Sequence, residues 1–94
     1  MEKVSEPFAI VYDWMFSLPV SWNQKMVYAI IYGYCRNGEE CFASQQGLAN
    51  RLRMHPTAIS RAISALAKKG LIRIIRYEGG GQTYVAVRHP WQDG

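Results

Sequence analysis

Apolar and polar positions along the chain change period several times, and each change predicts an element. Phe8-Ala9-Ile10-Val11-Tyr12 is an unbroken β-branched and aromatic run, a strand or an extended arm, ended by Asp13 and the breaker Ser17-Leu18-Pro19. Beyond it the spacing lengthens. Met26, Val27, Ile30, Ile31 and Tyr34 recur as one buried helical face, and Ser21 with Gln24 three residues on has the form of a capping box. The pattern predicts a helix from Trp22 to Cys35, closed at Arg36-Asn37-Gly38, with Tyr28, Tyr32 and Tyr34 as packing groups.

Cys41-Phe42-Ala43 fits a small strand. Ser44 is the next candidate cap, and Leu48, Ala49 and Leu52 give the inward face of a short second helix. Only Arg53-Met54-His55 separates it from Pro56, a residue favoured at the first position of a helix because its missing N–H has no partner there. A third helix follows over 56–69, with Ile59, Ile63 and Leu66 inward and Ala62 beside them, ended by Lys68-Lys69-Gly70. Segments 71–77 and 82–88 then read as the strands of a hairpin joined by Glu78-Gly79-Gly80-Gly81 and stopped by His89-Pro90. Tyr84, alternating with Val85 and Val87, reads as partly buried.

This order predicts an α+β fold, mainly α: three helices with a small antiparallel hairpin. Residues 1–20 form an arm or short strand, 21–90 the domain and 91–94 a tail.

Charge adds a direction to this layout. The 94 residues carry a net charge of +4, from 11 basic and 7 acidic side chains, but the sum is unevenly placed. The first fifty residues hold three bases against five acids, a net of −2, and the remainder eight against two, a net of +6. Between Glu40 and Glu78 there is no acid, while seven bases fall in that window: Arg51, Arg53, Arg61, Lys68, Lys69, Arg73 and Arg76. A stretch of one sign with no neutralising partner favours a polyanion.

Several chemistries are missing. Cys35 and Cys41 lie far from His55 and His89 and lack zinc-ligand spacing, so two reduced thiols and no metal or cofactor are expected. No pair of carboxylates is placed for acid–base work, no Walker-type phosphate loop or nucleophile set is present, and the three hairpin glycines lack the following helix and Lys of a phosphate cradle. The reading is therefore a protein without enzymatic activity. The longest uncharged stretches, 14–24 and 26–35, are too short to span a membrane, and the charged N-terminus is not a secretory signal; a cytoplasmic location is expected.

Gln45 to Ser64 resembles the helix-turn-helix pattern of phage repressors and bacterial regulators: a small Ala49 in the second helix, apolar Leu52 and Met54 around the turn, and Ile59, Ala62 and Ile63 on the inner face of the third. Leu66-Ala67-Lys68-Lys69-Gly70-Leu71-Ile72, leading into a glycine hairpin, is similar to the winged subset. Tyr12 to Phe16, the Ser21 helix with Val27-Tyr28-Ala29, and Cys41 to Ser44 together resemble the N-terminal domains of phage and plasmid replication initiators. The family's turn usually carries Gly where this chain has Arg53. A positive φ there strains Arg by about 1 kcal/mol or more, and a turn that differs by a residue from the usual geometry leaves the aim of the third helix open.

The resemblance implies a winged helix-turn-helix that binds double-stranded DNA, in replication initiation or transcriptional control. A recognition helix presents its outward residues to base edges in the major groove. Here those are Thr57, Ala58, Ser60, Arg61 and Ser64, with Arg61 suited to a bidentate contact with guanine and Ala58 to a thymine methyl. His55 is a phosphate donor or the helix's own cap. Ser44 and Gln45 open the second helix towards a phosphate, and Arg73, Arg76, Tyr77 and Gln82 flank the wing's glycines. From a different class, the same scaffold serves as a protein-interaction module, and the apolar arm from Phe8 to Trp14 is a candidate homodimer element.

Overall fold

The computed structural model describes residues 11–35 and 40–87. Its elements in chain order are a 3-10 turn at Asp13–Ser17, helices α1 (Trp22–Cys35), α2 (Gln45–Leu52) and α3 (Pro56–Lys68), and strands β1 (Ile72–Arg76) and β2 (Gln82–Ala86). This is a mainly helical α+β architecture, the winged helix-turn-helix layout. Phe8 to Ile10, the Arg36-Asn37-Gly38 stop, Arg88 and the His89-Pro90 terminator lie outside the described residues.

Local chemistry sets the helix starts. Ser21 Oγ accepts from the Gln24 N–H at 3.3 Å while Gln24 Oε1 accepts from the Ser21 N–H at 3.4 Å, the reciprocal pair of a capping box. Ser44 Oγ accepts from the Gly47 N–H at 2.9 Å and so caps α2. At α3, Pro56 opens the first turn and His55 Nδ1 accepts from the Thr57 N–H at 3.2 Å.

Two elements differ from the sequence expectation. The breaker after Tyr12 is a 3-10 turn that sends Met15 into the core, with Leu18 buried just behind it. Helix α1 is enclosed on more than one face: Val27, Tyr28, Ala29, Ile30 and Ile31 are all buried, whereas Met26 and Tyr34 are only half-buried. The reason is its central position. It packs against α3, β2, α2 and the 3-10 turn, and a helix covered on several sides needs apolar residues all round.

Trp14 seals the side facing the 3-10 turn, meeting Tyr28 and Tyr32 edge-on at centroid separations of 5.9 and 5.3 Å. Tyr28 is fully buried, and among the described residues its hydroxyl has no hydrogen-bond partner. Burial, then the charges of Tyr32 and Cys35, push its phenol above the ordinary tyrosine range.

The α2–α3 turn rests on Arg53, whose φ of 55° and ψ of 45° are left-handed. Its N–H and that of Met54 both donate to the Ala49 carbonyl, closing the end of α2. Arg53 is the one non-glycine residue at positive φ among the described residues, a conformation that costs about 1–2 kcal/mol in a residue with a Cβ. Ala49 and Ala62, both buried, leave room for α2 and α3 to approach, and Ile59, Ile63 and Leu66 fill the space beneath.

The wing is antiparallel, in register from Ile72 opposite Ala86 to Arg76 opposite Gln82. Its tip is a specific turn: Gly79 and Gly80 sit at φ of 93° and 104°, and the Tyr77 N–H donates to the Gly81 carbonyl at 2.8 Å. The small strand expected at Cys41 reduces to one residue, whose N–H and carbonyl both pair with Tyr84.

Candidate nucleic-acid interface

Helix α3 divides cleanly by face. Ile59, Ala62, Ile63 and Leu66 are buried, so the 3.6-residue period turns Thr57, Ser60, Arg61 and Ser64 outward, and all four are exposed. Ala58 is half-buried, which limits how much of its methyl can reach a base. The Arg61 side chain makes no hydrogen bond or ion pair among the described residues, and neither do those of Ser60 and Ser64. The row is polar and exposed.

The wing contributes Arg73 and Arg76, both exposed, whose side chains likewise have no hydrogen bond or ion pair among the described residues. They and Arg61 belong to the window that holds no acid, so nothing in that stretch neutralises them.

The remaining sequence candidates have structural occupations. Gln45 and Gln82 donate through Nε2 to the Tyr84 hydroxyl, at 3.4 and 2.9 Å, and both are half-buried. Tyr84 is itself fully buried, more deeply than the sequence pattern predicts, because β2 packs against α1 and Tyr84 pairs with Cys41. Tyr77 donates its hydroxyl to Glu40 Oε1 at 2.5 Å, and Thr83 Oγ1 donates to the same oxygen at 2.6 Å. These bonds hold the Glu40 carboxyl below its ordinary value, with Thr83 the larger cause, and the bond to Glu40 raises the Tyr77 phenol. Glu40 thus fastens the wing to the segment before α2.

Ser44 and His55 cap their helices through the atoms named above. His55 takes its cap bond on Nδ1, so a neutral ring carries its proton on Nε2, and the residue is exposed.

Two basic residues near the turn were not among the DNA-contact candidates read from sequence. Arg51 lies with its guanidinium carbon 5.4 Å from the Tyr34 ring centroid, a cation–π contact that ties it to α1. Arg53 stands free. Its sequence signal was the missing turn glycine.

A short turn between two capped helices, a polar outer face on the second and a basic hairpin behind it define a winged helix-turn-helix of the DNA-binding class. A helix-turn-helix domain family matches residues 21–72, more than half of the 94, from the capping box of α1 to the first residue of the wing. The chain belongs to that family. No curated protein and no solved structure matches it. Among the described residues no three His, Cys, Asp or Glu side chains are grouped to hold a metal ion, and no helix is long and apolar enough to cross a membrane.

Proposed function

We propose that this protein reads double-stranded DNA sequence-specifically, with α3 in the major groove and the wing on the flanking backbone. It acts in phage- or plasmid-type replication initiation or in transcriptional control, two roles served by the same groove contacts. The observation that carries the reading is the open polar row of α3 with an unpaired Arg61 at its centre. Guanine offers two acceptors in the major groove in the geometry of the guanidinium fork.

In this reading Arg61 specifies, and Arg73 and Arg76 position. Thr57, Ser60 and Ser64 bond bases or phosphates beside Arg61, while Gln45, Gln82 and Tyr77 act chiefly by holding the wing in place. The protein works in the cytoplasm, where the DNA is. A homodimer through the N-terminal arm brings two such faces to half-sites about 34 Å apart.

The test is fluorescence anisotropy on selected and random duplexes across a salt series. Log K falls linearly with log salt if phosphates are neutralised. Arg61→Ala lowers discrimination between the selected and random duplexes by about 1–3 kcal/mol, whereas Arg76→Ala weakens both about equally. A flat salt response, or equal losses from both variants on both duplexes, refutes the reading.

A further inference from the structure

We infer that Arg53, in the turn between α2 and α3, binds a backbone phosphate of the duplex; this rests on the DNA-reading function proposed above. The argument begins with what the side chain does not do for the fold. The end of α2 is closed by backbone groups alone, the N–H groups of Arg53 and Met54 on the Ala49 carbonyl, so glycine at this position makes the same bonds. At a φ of 55° glycine also makes them without strain. The arginine side chain is exposed and has no hydrogen bond or ion pair among the described residues. It therefore imposes strain and returns no hydrogen bond or ion pair among the described residues.

Backbone strain that the fold does not need marks a position whose side chain works on something else. The partner follows from chemistry and place. Arg53 lies two residues before the cap of α3, on the approach to the helix that carries Arg61. Its basic neighbour Arg51 is held by Tyr34, so Arg53 is the cation of this segment left open to an incoming group. The surrounding stretch contains no acid to compete for it. A planar guanidinium with these surroundings suits a phosphate oxygen pair.

Three proteins test this, the wild type, Arg53→Gly and Arg53→Lys, each titrated with one random-sequence duplex at several salt concentrations and melted in parallel. Arg53→Gly is expected to melt about 2–5 °C higher, because relief of strain exceeds the added freedom of the unfolded chain. It is also expected to bind more weakly, by about eightfold at 0.1 M salt and about fourfold at 0.2 M, with the slope of log K against log salt smaller by about 0.9. Arg53→Lys keeps the slope, since it keeps the charge.

Unchanged affinity and slope in Arg53→Gly, with a wild type that binds in a salt-dependent way, overturn the role of Arg53 and leave the DNA-reading function standing. A wild type with no salt-dependent duplex binding overturns both.

Discussion

Replacing Tyr28 by Phe should stabilise this domain. The hydroxyl is fully buried and unpartnered among the described residues, and a buried polar group left without a hydrogen bond costs about 1–3 kcal/mol. Removing it leaves a void of one oxygen atom, roughly 10–15 Å³, which at about 24 cal/mol per Å³ costs only about 0.3 kcal/mol. The edge-on contact with Trp14 survives, because the ring stays. The balance is a gain of about 1–2 kcal/mol, a rise in Tm of roughly 5–10 °C for a domain of this size.

Tyr32→Phe is the control: that ring is half-buried, and its loss of a hydroxyl should shift stability by less than about 0.5 kcal/mol. Alkali adds a second reading of the same group. Burial raises the folded phenol above the ordinary tyrosine value of 10.0, so its contribution is complete below that pH and lost as pH rises beyond it. The Phe variant should lack this part of the alkaline loss. Thermal melts followed by circular dichroism at neutral and alkaline pH decide the matter. A Tyr28→Phe protein that melts below the wild type refutes the reasoning, since the hydroxyl must then have a partner worth more than its burial.

Two further outcomes follow from groups already described. The Cys41 thiol is pushed up from 9.0 to about 11, mainly by burial, so stability present below pH 9 should decline as pH rises through 11; the melting profile of Cys41→Ala should be flatter over that interval. Ser44→Ala should cost about 1 kcal/mol in a urea titration by freeing the Gly47 N–H, and Ser44→Gly only a few tenths.

What was legible from sequence was mostly local. The Ser21–Gln24 box, the Ser44 cap and Pro56 at the head of α3 are decided within three or four residues, and their chemistry is the same in a peptide as in a fold. The outward row of α3 was legible for a related reason: Ile59, Ala62, Ile63 and Leu66 set its phase. The arrangement around Tyr84 was not, because the Gln45 contact joins residues 39 apart and the Glu40–Thr83 bond joins residues 43 apart. No periodicity encodes such pairs. The 3-10 turn at Asp13–Ser17 is too short to show a period, and the depth of Tyr28 depends on α1 being covered from several sides.

The sheet's other edge has a practical consequence. Cys41 occupies β2 on one side, but among the described residues nothing pairs with the outer edge of β1, whose sequence is Ile72-Arg73-Ile74-Ile75-Arg76. An open, isoleucine-rich edge invites the same strand of another molecule, and charged side chains on it are what discourage that pairing. Arg73 and Arg76 put that charge on this edge. A double alanine variant made to abolish wing contacts strips the edge of its charge and brings aggregation into any binding assay. Glutamate at both positions repels DNA while keeping the edge charged, and is the cleaner way to silence the wing.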